Sequence, residues 1–121
     1  MQTISPIKTA ALIMLMFSLC CQLPAAIAAS DCNQAEALFL NASKQTSADA
    51  QGDLLEGAVK HCPTHAKAGN NLGTVYEKQK RLEAAHKAYD TSNRNAPELG
   101  PPLAGLGDVA MKLGRFEEAA K

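Results

Sequence analysis

The chain is expected to be all-α, built from short antiparallel helix pairs that repeat, and three observations carry that expectation. Hydrophobic residues make up 46% of its 121 residues but aromatics only 4%, a balance suited to close, alanine-rich helix packing. Apolar residues recur at helical intervals, first Leu72, Val75 and Tyr76, then Leu82, Ala85 and Tyr89. Pro63 and Pro97 stand 34 residues apart, and sliding residues 72–87 by that interval onto 106–121 gives eight identities in sixteen positions. They are Leu72/Leu106, Gly73/Gly107, Val75/Val109, Lys78/Lys112, Arg81/Arg115, Glu83/Glu117, Ala85/Ala119 and Lys87/Lys121. Unrelated helices would match at about one or two of these.

Residues 1–29 pose a separate problem and are expected to be a secretory signal peptide. Lys8 ends a short positive segment, residues 10–23 form an apolar run, and residues 24–29 supply the small side chains that a peptidase needs. The run is too short for a permanent membrane helix, and cleavage is expected after Ala28 or Ala29. Leu19 before Cys20, and Cys20 before Cys21, lack the small residue that lipid attachment requires, so both cysteines read as apolar filler. The protein is then exported, periplasmic or secreted, with a bacterial-type signal.

The first helix should begin at Ser30 or Asp31, which can cap it, and turn Ala35, Leu38, Phe39 and Ala42 inward. Residues 43–47 are polar and turn-like. Ser47 can cap a second helix with Leu54, Leu55 and Ala58 inward, stopped by Pro63. Thr64 restarts the pattern as a cap. Helix three is expected over about residues 65–79 and helix four over about 81–93, with Pro97 as the next stop. Pro101 and Pro102 suit the first turn of helix five, Gly114 ends it, and helix six starts near Arg115.

Cys32 and Cys62 remain after cleavage, an even count in an oxidising compartment, where a disulfide is the default. Antiparallel helices over residues 33–45 and 48–61 would bring them together. The competing reading is a metal site of Cys32, His61, Cys62 and His65, since zinc accepts mixed nitrogen and sulfur ligands. That spacing matches no paired zinc motif. His86 reads as a solvated or partly packed side chain.

With Ala68, Asn71-Leu72-Gly73, Tyr76, Ala85, Tyr89 and Pro97 in one unit, the sequence resembles the tetratricopeptide repeat family, a helix-turn-helix of 34 residues. The following unit carries Leu103, Leu106-Gly107, Gly114, Phe116 and Ala119, and the preceding one keeps Leu38, Leu55, Ala58 and Pro63. The resemblance implies a right-handed α-solenoid of about two and a half repeats over residues 30–121, in units of about 32–65, 66–99 and an incomplete 100–121. Two departures stand out. Gly69 replaces a bulky residue and is expected to weaken packing locally, and Lys80 replaces the turn glycine, so that turn is expected to find another conformation.

The resemblance further implies a concave groove lined by the first helix of each pair, which holds a peptide or partner protein. Its side chains are expected to be Glu36, Leu40 and Lys44, then Lys67, Asn70, Thr74, Glu77 and Lys78, then Asp108, Met111 and Lys112. Lys67, Asn70 and Lys78 could grip a terminal carboxylate or form a solvated face, with Asn71 in the turn of its motif. A net charge of zero without an aromatic platform excludes nucleic acid as a partner. No nucleophile elbow, phosphate-cradling loop or metalloprotease helix is present, so no enzyme and no cofactor is expected. The expected role is a non-catalytic scaffold or adaptor of the cell envelope, with two alternatives: a Cys/His metal- or ligand-binding module, or the N-terminal part of a larger multidomain protein. Helix six stops at Lys121 without a capping helix, which leaves a face for self-association or for further chain.

Overall fold

The computed structural model describes residues 23–115, with side chains from residue 31 onward. The positive segment, most of the apolar run with Cys20 and Cys21, and helix six with Phe116, Glu117, Glu118 and Ala119 lie outside the described residues. The chain divides into two compact units, Met1–Ser30 and Asp31–Lys121. Its described elements are α1 (Leu23–Ala42), α2 (Ala48–His61), α3 (Ala66–Lys78), α4 (Leu82–Asn95) and α5 (Gly100–Lys112), with no strand among the described residues. Helix α3 packs against α2, α4 and α5, the neighbour-on-neighbour arrangement of an all-α solenoid.

The helix starts follow local chemistry, with corrections at α1, α2 and α3. Helix α1 runs through Ser30 and Asp31 instead of starting at a cap there, because Pro24 suits the first turn and the alanines that follow are strong helix formers. Ser47 occupies the start of α2, but its side chain makes no capping hydrogen bond. Helix α3 is capped by His65, not Thr64: the His65 Nδ1 atom accepts from the Ala68 amide at 3.1 Å. Thr64 instead places its hydroxyl 3.5 Å from the Cys62 sulfur. Asn71 lies inside α3 and not in a turn.

The two inner turns end alike. In α3, the Lys80 amide donates to Glu77 O at 2.9 Å and the Arg81 amide to Tyr76 O at 2.8 Å. In α5, Gly114 donates to Met111 O at 3.1 Å and Arg115 to Ala110 O at 2.8 Å. Both are the paired bonds of a left-handed helix stop. Lys80 therefore does not find another conformation; it takes the one that glycine takes, with φ of 61° against 76° at Gly114.

Alanine and glycine set the helix spacing. One core cluster holds Ala35, Ala42, Leu55, Ala58, Cys62, Ala68, Leu72 and Val75, and a second holds Ala85, Tyr89 and Val109, with Tyr76 packed against both. Burial of each large side chain, such as Leu55 or Leu72, stabilises the fold by about 1.5–3 kcal/mol. Gly69 is buried, and a Cβ there would sit 3.3 Å from the Ser92 Cβ. It lets α3 and α4 close up instead of weakening their contact, and the Ser92 hydroxyl donates to Ala66 O at 2.6 Å across that approach.

Candidate functional site

Two of the expected partner-binding residues, Lys67 and Asn70, lie on α3 and face a cavity shared by the first helices of successive pairs. With Asn71 of α3 they line a cavity of about 180 Å³ closed by Phe39 of α1 and by Leu99, Pro101 and Pro102 at the start of α5. The prolines belong there because the first turn of a helix has amides without intrahelical partners, so a missing N–H costs little. Lys67 is exposed. The Asn70 amide nitrogen donates to the Asn71 side chain at 3.3 Å.

Thr74, Glu77, Asp108 and Lys112 come together one turn further on, around Tyr89. The Tyr89 ring sits where a Cβ on Gly73 would lie 2.7 Å from it and a Cβ on Gly105 would lie 2.6 Å from it, so two glycines make its slot. Its hydroxyl donates to Glu77 Oε2 at 2.6 Å and lies 3.0 Å from Thr74 Oγ1. Glu77 Oε1 and Asp108 Oδ2 in turn accept from Lys112 Nζ at 2.8 and 2.6 Å. Burial, reinforced by the Glu77 carboxylate, pushes the Tyr89 hydroxyl up to about 12. The hydrogen bond to Lys112 holds the Asp108 carboxyl below its ordinary value, and the two carboxylates hold the Lys112 ammonium well above its own. The sequence names Tyr89 as a packing residue only; its polar role depends on Gly105, which no repeat position singles out.

Lys78 stands apart from this network although it is the repeat equivalent of Lys112. The positions that hold Lys112 are Glu77 and Asp108, and 34 residues earlier they are Ser43 and Thr74, which carry no charge. Lys78 instead lines a separate cavity of about 230 Å³ with Asn71, Thr74, Ser43 and Gln51. Lys44 is the third member of the same register, exposed at the end of α1. Lys67, Asn70 and Lys78 thus do not converge on one cavity. Met111, 53% exposed, and Leu40, 50% exposed, present apolar surface to solvent. Glu36 is committed elsewhere: its carboxylate lies 2.8 Å from His65 Nε2.

The cysteine and histidine set is resolved in favour of the disulfide. Cys32 and Cys62 are bonded, with Cα atoms 4.8 Å apart, so neither sulfur is available as a thiolate. His65 uses Nδ1 as an acceptor toward Ala68 and therefore carries its proton on Nε2, which donates to Glu36. Its ring packs on Phe39 at a centroid distance of 5.2 Å. On the other side of α3, the Tyr76 hydroxyl donates to Glu56 at 2.7 Å while the Arg81 guanidinium lies 4.3 Å above its ring. Burial and the Glu56 carboxylate raise that hydroxyl, too, to about 12.

No protein-family model matches the chain, and no curated protein matches it. Among solved structures it is similar to the crystal structure of MamA, with a TM-score of 0.68 and 24% identity over 74% of this chain and 54% of that one. The chain thus spans about half the length of the MamA chain. The likeness shows the fold, an all-α solenoid of helical repeats.

Proposed function

We propose that the protein is an exported, non-catalytic tetratricopeptide repeat scaffold that holds a peptide or partner protein in a groove along α1, α3 and α5. The observation that carries this reading is the cavity in which those three helices place Phe39, Lys67, Asn70, Pro101 and Pro102 around one opening. Such a site offers a charge, an amide and apolar walls without a nucleophile and base in contact, which suits recognition more than chemistry.

Export is supported by the disulfide, which belongs to oxidising compartments, and by the unit boundary at Ser30, next to the expected cleavage position. Among the described residues no helix is long and apolar enough to cross a membrane. The periplasmic envelope role in this reading rests on the bacterial-type signal expected over residues 1–29. N-terminal sequencing of the protein recovered from its native host is expected to begin at Ala29 or Ser30; an intact Met1 would overturn export by cleavage.

The groove itself is tested by placing a photo-crosslinking amino acid at Asn70 or Lys67, and at exposed Asp53 of α2 as a control, in the native host. A discrete crosslinked partner from the first two positions and none from Asp53 is expected. Equal labelling at all three, or none at any, would remove the groove assignment.

A further inference from the structure

A third cavity, of about 260 Å³, lies away from that groove. It is bounded by Val59 at the end of α2, by Gly69, Leu72 and Tyr76 of α3, and by Ala84 and Ala88 of α4. Thr91, Ser92 and Asn95 continue its wall along α4. The polar groups that border it are largely spoken for within the protein. The Ser92 hydroxyl donates to Ala66 O, the Asn95 amide to Pro63 O at 3.1 Å, the Tyr76 hydroxyl to Glu56, and His65 is paired with Glu36. Lys87, exposed on the rim, is the one lining side chain among the described residues whose charge has no ion pair.

We infer that this cavity is a docking site for an aromatic side chain of a partner polypeptide that carries a carboxylate beside the aromatic residue. Size selects the aromatic ring: a dry cavity of about 150 Å³ already admits benzene, so this one has room for a single aromatic side chain but not for a folded segment. The walls ask for an apolar occupant because Val59, Leu72, Ala84 and Ala88 supply much of them and most of the bordering polar groups are already bonded within the protein, so a polar group entering would lose its water for little in return. Charge selects the neighbour, since Lys87 supplies the one lining charge without an ion pair among the described residues. Shape favours a polypeptide over a free small acid. The α4 wall runs from Ala84 to Asn95, a length of about 16 Å by helix rise, so a chain can continue along it on either side of the inserted ring.

This assignment does not rest on the groove reading, and its experiment separates the two. The full chain, isotope-labelled, is titrated with acetyl-Gly-Phe-Glu-Gly-amide and followed by amide chemical shifts. Saturable shifts are expected at Leu72, Tyr76 and Ala88, and not at Lys67 or Asn70. Replacing Phe by Ala in the peptide is expected to abolish them. Replacing Glu by Gln in the peptide, or Lys87→Gln in the protein, is expected to weaken binding up to about fivefold, the range of an exposed ion pair. Ala84→Leu, which fills the cavity from a partly exposed position, is expected to abolish binding, with its helical spectrum as the check on folding. Shifts centred on Lys67 and Asn70, binding insensitive to the aromatic residue, or stronger saturable binding by 3-phenylpropionate than by the peptide would each overturn the assignment.

Discussion

Lys80 and Gly114 adopt the same left-handed backbone conformation at the same point of successive repeats, φ 61° and 76°, each closing its helix with the same pair of amide bonds. A side chain at such a position costs about 1–2 kcal/mol relative to glycine, because its Cβ crowds the neighbouring carbonyl. Lys80→Gly is therefore expected to raise the unfolding free energy by about 1 kcal/mol, the remainder being offset by the greater freedom of glycine in the unfolded chain. Gly114→Ala is expected to lower it by a similar amount. Urea unfolding of both variants checks the pair, and a loss of stability in Lys80→Gly would contradict the account.

The Cys32–Cys62 disulfide closes a loop across a sequence separation of 30. On the chain-entropy estimate this stabilises the fold by about 3 to 4 kcal/mol. Reduction of the folded protein is expected to lower its thermal midpoint by at least ~10 °C, and thiol counting before reduction is expected to find neither Cys32 nor Cys62 free. Two reactive thiols in the oxidised protein would sink the pairing.

Gly105→Ala tests the slot around Tyr89. Alanine gains up to about 1 kcal/mol of helix propensity at an interior position. Here its Cβ would meet the ring at 2.6 Å, and overpacking of that kind costs about 1–3 kcal/mol. The steric effect is expected to win and Gly105→Ala to destabilise. A stability equal to or above the parent would show that the ring moves freely.

Much of this architecture was legible because helical repeats write themselves into sequence twice, as a period and as terminators. The bounds of α2 follow from Ser47 and Pro63, and the stop of α5 from Gly114. What escaped was set by tertiary contact. Gly69 reads as a missing side chain until the closeness of Ser92 shows why a larger one would push the helices apart. His65 competes with Thr64 for the same amides, and only its pairing with Glu36 and packing on Phe39 decide the contest. Among the groove candidates the sequence could place Lys78 and Lys112 at equivalent positions, but not foresee that two carboxylates would engage Lys112 and not Lys78.

Alkaline pH should unfold the protein through its tyrosines. Tyr76 and Tyr89 are raised from 10.0 to about 12, so between those values the unfolded chain loses its phenolic protons while the folded one keeps them. The unfolded state then binds fewer protons and stability falls as pH rises. The contribution is complete below pH 10 and lost through about pH 12. Lys112, also raised, acts in the same direction. Since the chain has two tyrosines and no tryptophan, tyrosinate absorbance reports them without interference. Titration of both near pH 10 in the folded protein would remove the basis for this expectation.

Glu77→Gln isolates the carboxylate that joins Tyr89 to Lys112. Burial is the largest cause of the raised Tyr89 hydroxyl, followed by its hydrogen bond to Glu77, with the Glu77 charge adding to both. The Lys112 ammonium works in the opposite direction. Glutamine keeps an oxygen that can accept from the hydroxyl but carries no charge. Tyr89 is therefore expected to titrate at lower pH in Glu77→Gln, though still above 10 because burial persists, while Tyr76, held by Glu56, stays where it was. Asp108 remains to hold Lys112, so the helical spectrum is expected to be unchanged. If both tyrosines move together, the change reflects loosening of the fold; if neither moves, the Glu77 contact does not govern Tyr89.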